Sequence, residues 1–187
     1  MATDPLSPIT PQGWSGKLHH VANGLVVLVL FGFSLVTYVG LPDRFPVHFD
    51  GAGRPDGWMD KSWLAWLALP LTALGMWAIM ALSAKAVDWG RRHPKYLSIP
   101  NKEKFLALPP EKQEPVWREM KAIVHWMAVP VNAMMLYAQV SIHHMATSGA
   151  SQMAVWPLFA FLGGMLLTTI WLIIRMVRSV KRAVAEP

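Results

Sequence analysis

Four long apolar runs punctuate this chain, over residues 21–40, 63–87, 122–146 and 154–177. As helix, at about 1.5 Å per residue, each can cross a hydrocarbon core of about 30 Å. The first run has no basic segment of any size before it and no small-residue cleavage site after it, so it reads as a true span and not as a signal peptide. Pro70 and Pro130 interrupt the second and third runs. A proline lacks an N–H and crowds the carbonyl four residues earlier, so a kink is expected in each helix, tolerated where neighbours satisfy the freed carbonyls. The pattern predicts an all-α integral membrane protein, a four-transmembrane-helix bundle over residues 21–177. Before it lies a tail, residues 1–20, in which Pro5, Pro8, Pro11, Gly13 and Gly16 predict irregular backbone; after it lies a basic tail, residues 178–187.

The connections set the orientation. The second-to-third connection and its flanks carry Lys85, Arg91, Arg92, Lys95, Lys102, Lys104, Lys112, Arg118 and Lys121, and the C-terminus carries Arg175, Arg178, Lys181 and Arg182. The third-to-fourth connection, 144–153, has neither Lys nor Arg, and the first has Arg44, Arg54 and Lys61. An even number of spans puts both basic regions on one side, and the positive-inside rule makes that side cytoplasmic. Both termini are thus expected in the cytoplasm of a multi-pass membrane protein. Trp58, Trp63 and Trp156 then suit the outer interface and Trp89 the inner one. The net charge of +6 records these loops and does not call for nucleic acid. With no cysteine, disulfides, thiol nucleophiles and thiolate metal sites are excluded. In the long basic connection Asn101 is expected to cap a short helix carrying Phe105, Leu106 and Leu108, which Pro109 and Pro110 stop. Glu114 or Pro115 then opens a helix through Val116, Trp117 and Met120 into the third span. This segment reads equally as one lying on the inner membrane face or as a solvated connector.

The first connection, residues 41–62, is expected to be an ordered extracytoplasmic loop between the first two helices. Pro42 and Pro46 hold their predecessors extended. Phe45, Val47 and Phe49 would alternate with Pro46, His48 and Asp50 in a short strand, with His48 and Asp50 on one side. Gly51 and Gly53 permit unusual backbone angles, and Arg54-Pro55-Asp56-Gly57 has the chemistry of a tight turn. Asp60 or Ser62 can cap the second span. The aromatic residues Phe45, Phe49 and Trp58, with Met59, are expected to fold down onto the bundle or a partner, with His48 organising the loop by donating to one of its carbonyls and accepting from Lys61 or Arg54.

The pattern Leu-Pro-x-x-Phe-Pro-x-His-Phe-x-x-x-Gly-x-Pro-Asp-x-Trp-x-x-Lys, at Pro42, Pro46, His48, Phe49, Gly53, Asp56, Trp58 and Lys61, resembles that of an uncharacterised bacterial membrane-domain family. That family includes the N-terminal region of SdpI-type immunity and signalling proteins. The resemblance covers about 20 residues and the adjoining spans, implies a multi-span protein with its outer loop after the first helix, and supplies no established catalytic activity.

Candidate chemistry falls into three places. Pro46, His48, Phe49, Asp50, Gly53, Asp56, Trp58 and Lys61 form the candidate ligand- or partner-binding loop, and His48, Asp50, His143 and His144 are candidate ligands for Zn, Cu or Ni, set against a structural role for His48. His125, Asn132, Gln139 and His143 form one polar stripe in the third span. It reads as interhelical hydrogen bonding, with a quinone or small-molecule pocket or a proton path as the sharper alternative. No acidic residue lies mid-span, which argues against proton-coupled transport. His20 with His125, or His48 with His143, are candidate axial haem ligands. Gly75, Gly163, Gly164, Thr168 and Thr169 read as close-packing positions. No phosphate-binding loop, dinucleotide fingerprint, nucleophile elbow or paired-carboxylate site is present.

Three functions fit this sequence. The first is a non-enzymatic accessory, sensory or immunity-type membrane protein that recognises a peptide, a lipid or another membrane protein through its outer loop, without a cofactor. The second is a small subunit of a larger membrane complex, energy-converting among the options. The third is a metal- or cofactor-dependent membrane enzyme.

Overall fold

A computed structural model describes residues 18–96 and 98–185. The irregular tail expected over residues 1–16 lies outside them. Four helical stretches are long and apolar enough to cross a membrane: Leu18–Thr37, Ala68–Arg92, Pro110–Ser148 and Trp156–Ala185. In order, the helices are α1 (Leu18–Thr37), α2 (Trp63–Trp66), α3 (Ala68–Arg92), α4 (Lys102–Leu106), α5 (Pro110–Trp126), α6 (Ala128–Ser148) and α7 (Trp156–Ala185). An antiparallel hairpin of β1 (Arg44–Phe49) and β2 (Pro55–Asp60) follows α1. The chain runs up and down, so the hairpin and the α6–α7 connection share one end and the basic segments the other.

The two proline breaks sit where the missing N–H puts them. α2 ends and α3 begins at Leu67, three residues before Pro70; α5 ends and α6 begins at Met127, three residues before Pro130. Pro70 cannot donate to the Trp66 carbonyl four residues back, and that carbonyl accepts instead from Gln139 Nε2 of α6 at 3.1 Å. Ser62 caps α2 through its hydroxyl, which accepts from Ala65 N at 3.2 Å, whereas Asp60 is an ion-pair partner of Arg44 at 3.2 Å.

The core comes in three patches along the bundle. Val27, Leu30 and Ala73 pack at mid-height with Phe31, Trp77, Met135 and Leu136. Leu41, Phe45, Trp66 and Ile142 form the patch beneath the hairpin. Phe105, Val116, Trp117 and Val180 form the third, at the basic end.

This third patch differs from one expectation for the connection after α3. Asn101 precedes α4 with a left-handed backbone (φ 52°) and no side-chain cap bond. α5 opens at Pro110, where a proline's missing N–H costs nothing, and carries Pro115 inside it. α3, α5 and α7 all run past their apolar runs, and the segment packs against them and is not a fully solvated connector. It is a small core closed by Phe105 and Trp117, whose ring centroids lie 5.3 Å apart. Gln113 ties it to α4 through the Leu106 and Leu108 carbonyls, at 3.3 and 2.7 Å. Ion pairs brace it: Arg91–Glu114 at 2.8 Å, Lys121–Asp88 at 2.9 Å, and Arg175–Glu119, with Ser179 Oγ donating to Glu119 at 2.6 Å. The glycine expectation is also corrected. A Cβ added at Gly75, Gly163 or Gly164 would meet nothing within 4 Å, and Thr168 is exposed, whereas at Gly24 it would meet Trp77 at 3.5 Å.

Candidate functional site

The hairpin is built around its turn. Asp50 takes three bonds on its carboxylate: from Ala52 N at 2.9 Å, Arg54 N at 2.9 Å and Arg54 Nε at 3.0 Å. These bonds, the Arg54 backbone N–H first among them, hold the Asp50 carboxyl below the usual aspartate range. Gly53 closes the turn with φ +80° and its N–H on the Asp50 carbonyl at 2.8 Å. The reversal therefore lies at 50–54, and not at Arg54-Pro55-Asp56-Gly57; Pro55 instead opens β2, a strand position that tolerates a missing donor.

The strict alternation expected of 45–50 is broken. The pairs Phe45↔Met59 and Pro46↔Trp58 are followed by His48↔Gly57, so Val47 is a bulge. Phe45 and the adjacent Pro46 are both buried, while Val47 and His48 are exposed and Phe49 is half-buried. Phe45 meets the Trp66 ring edge-on with centroids 5.3 Å apart, so the hairpin does cap the bundle. Trp58 and Met59 do not pack onto the bundle; they stay 50% and 47% exposed.

His48 is not the organiser. Its Nδ1 lies 2.5 Å from Asp56 Oδ1, with side chains 74% and 47% exposed, and it touches neither Lys61 nor Arg54. A Cβ at Gly57 would come within 2.8 Å of the His48 Cβ, so Gly57 makes the room in which His48 crosses to Asp56. The organising residues are Asp50, Gly53 and Lys61. The Lys61 ammonium donates to the Val39 and Leu41 carbonyls at 3.2 and 2.8 Å, just past the end of α1, and sits 5.1 Å over the Tyr38 ring, itself stacked on Trp63. Gly53 carries the long-range lock. Met153 N donates to the Gly53 carbonyl at 2.8 Å, Gln152 donates to the Ala52 carbonyl, and a Cβ at Gly53 would meet the Met153 carbonyl at 2.2 Å.

Below the hairpin the polar stripe of α5 and α6 faces protein. Asn132 and Gln139 are buried, and His125 and His143 half-buried. Gln139 holds the Trp66 carbonyl, and Trp66 Nε1 donates to the Ser34 carbonyl at 2.8 Å. His143 packs edge-on against Phe33, with centroids 5.4 Å apart, and 6.2 Å from the Trp66 ring. Asn132 Nδ2 donates to Asn23 Oδ1 at 3.0 Å, and Asn23 Nδ2 donates to the His19 and His125 carbonyls at 3.1 and 3.3 Å. The stripe thus has a counterpart on α1, where His19, Asn23, Val27, Leu30 and Ser34 are buried at helical spacing. The same periodicity that marks the third span was readable there, and sequence reasoning missed it for His19, Asn23 and Ser34.

At the foot of this seam His20 and His125 do meet, with His19 as a third member. Ring centroids lie 4.2 Å apart for His19–His20, 4.6 Å for His19–His125 and 4.5 Å for His20–His125. His20 and His125 are thus in direct ring contact, with His19 completing the group. His48, Asp50, His143 and His144 form no joint cluster: His48 and Asp50 are engaged within the hairpin, and His143 lies in the aromatic patch beneath it. An apolar groove of about 450 Å³ opens elsewhere, along α7, lined by Pro130, Trp156, Phe161, Gly164 and Met165.

Neither a curated protein nor a solved structure matches the chain. Residues 25–74, which hold the hairpin, most of α1 and the start of α3, match the model of a family described as a domain of unknown function, DUF1648.

Proposed function

We propose that this chain is a non-enzymatic accessory, sensory or immunity-type protein of a bacterial cytoplasmic membrane, with the hairpin outside and both termini inside, and that the hairpin's free face recognises a peptide or another membrane protein. One observation carries the reading. The hairpin is ordered by its turn and by contacts to the end of α1, to Trp66 and to the α6–α7 connection, yet Trp58, Met59, Val47 and the His48–Asp56 pair stay exposed. A segment that merely joins two spans needs few residues and no fixed aromatic display. An exposed Trp and Met beside a hydrogen-bonded His–Asp pair, on an ordered ribbon, is the composition of a recognition surface. The resemblance to SdpI-type proteins supports the immunity or signalling variant of this reading.

A second reading, a small subunit of a larger membrane complex, draws on α7. Its apolar window is 6% buried inside the chain, against 17% to 22% for the other three spans. A helix so little covered suits a bundle completed by another protein's helices.

The test uses photo-crosslinking from position 59 in cells, with His48→Ala and Trp58→Ala compared against Val47→Ala. Partner capture lost in the first two and kept in the third is expected. If His48→Ala and Trp58→Ala are folded, inserted and unchanged in capture and phenotype, the recognition reading fails. Labelling of Arg92→Cys by an impermeant thiol reagent in intact cells refutes the orientation, in a chain with no native cysteine to confuse the result.

A further inference from the structure

The geometry points to a transition-metal site at His19, His20 and His125, distinct from the hairpin and independent of the function proposed for it. Two of these residues are consecutive in the first turn of α1, and the third is the penultimate residue of α5. Their candidate ligand nitrogens all lie within 4.8 Å of one another. A tetrahedral ion holding imidazoles at about 2.0–2.1 Å separates its ligand nitrogens by about 3.4 Å, so side-chain rotation alone closes the group.

Two further observations set this group apart from histidines that merely crowd together. The first is the state of their nitrogens. His19 is 3% exposed, and among the described residues neither of its ring nitrogens has a hydrogen-bond partner; His125 Nδ1 is likewise buried and without a partner among them. An imidazole buried in an apolar bundle normally finds a partner for each nitrogen, because an orphan carries the full cost of its desolvation. A metal ion supplies the missing partner.

The second is the backbone beneath them. The Asn23 amide donates to both the His19 and the His125 carbonyls, and Asn132 holds Asn23 in turn. One buried side chain therefore fixes the spacing of two helices at the residues that carry the ligands. The α5–α6 break at Met127 lets His125 meet the start of α1 at the end of its own helix. Outer-sphere groups that orient ligands in this way are a regular part of metal sites.

The donor set selects the ion. Three imidazoles with neither carboxylate nor thiolate in the group favour Zn(II), Co(II), Ni(II) or Cu(II) over Mg(II) and Ca(II). The group would bind one such divalent ion per chain, and the ion would clamp α1 to α5.

The experiment uses the full chain in detergent, purified through a tag free of histidine and stripped with EDTA. Co(II) is titrated by its visible ligand-field absorption and Zn(II) by calorimetry. One ion per chain is expected, and it raises the melting temperature of the parent. His20→Ala and His125→Ala should each weaken binding by more than about 100-fold, beyond the range of outer-sphere changes. His143→Ala and His144→Ala, at the other end of the bundle, should bind as the parent does. His20 is only half-buried, so His20→Ala keeps the test decisive even where His125→Ala unfolds. Absence of a bound ion in the parent overturns the inference. So does undiminished binding in folded His20→Ala, or loss of binding in His143→Ala or His144→Ala.

Discussion

The two ends of the seam that runs through this bundle treat buried polar groups in opposite ways. Towards the hairpin, each freed or buried group has a partner: the Trp66 carbonyl takes Gln139, the Trp66 indole finds the Ser34 carbonyl, and Lys61 closes the carbonyls past the end of α1. Towards the basic end, the same seam terminates in three ring nitrogens with no partner among the described residues, two on His19 and one on His125, beside Asn132 Oδ1, which likewise has none there. Closure of the first kind fixes a shape. An open set of like donors spends stability in a protein that has little to spare, and such groups persist where something else completes them.

The comparison breaks most visibly at Gly53. Gly53→Ala brings a Cβ to 2.2 Å from the Met153 carbonyl at a backbone angle that side chains rarely adopt, and the strained angle alone costs about 1–3 kcal/mol. Thermal unfolding in detergent should show a melting temperature lower by several degrees; an unchanged value means the hairpin tip is not locked to the α6–α7 connection. His19→Leu tests the other end, with the opposite sign. In metal-free protein the variant should be as stable as the parent or more so, by up to about 1–3 kcal/mol, since it removes two orphaned nitrogens. A marked loss of stability would show that His19 is already satisfied.

Gln139→Leu and Asn132→Leu probe the closed part of the seam. Each should lose about 0.6–2 kcal/mol, the range for hydrogen bonds between membrane helices. Unfolding midpoints equal to that of the parent would mean these amides contribute nothing to packing. The smallest effect belongs to Asp50. Its folded pKa is depressed, so its contribution to hairpin order is complete above the ordinary aspartate value of 3.8 and is lost as pH falls below that towards the folded value. Proteolysis of the hairpin should therefore rise at low pH in the parent and depend less on pH in Asp50→Asn. An identical pH dependence in the two would remove Asp50 from the turn's control.

What the sequence made legible was whatever depends on neighbours along the chain. Runs of apolar residues located four helices, and Pro70 and Pro130 announced the breaks at Leu67 and Met127. Ser62 capped where a serine before an apolar run should. The hairpin turn was misplaced because two turn-forming stretches, 50–54 and 54–57, compete on local chemistry alone. The choice is made by Met153 and Gln152, about 100 residues away, which dock on the first. Trp58 and Met59 were expected to fold down onto the bundle or a partner because they are apolar, but on the bundle it is Phe45 and Pro46 of the facing strand that are buried, while Trp58 and Met59 stay exposed. His19 was passed over because a histidine at a helix start is ordinary by itself; its meaning comes from His125, 106 positions later, and no local pattern links the two.

The Trp66 carbonyl ties the order of synthesis to the order of assembly. A nascent chain that has delivered α1 and α3 to the bilayer already carries the gap left by Pro70, but the side chain that fills it belongs to α6 and has not yet been made. A carbonyl left unpaired away from water is costly, so a chain that lacks α6 holds this acceptor without its amide until α6 arrives. That vacancy gives the third span one preferred docking position, beside α2 and in a single register, because Gln139 reaches the carbonyl from one height of α6. Truncation before Gln139 would leave a two-span fragment with a standing demand for an amide donor, exposed to whatever in the membrane can meet it.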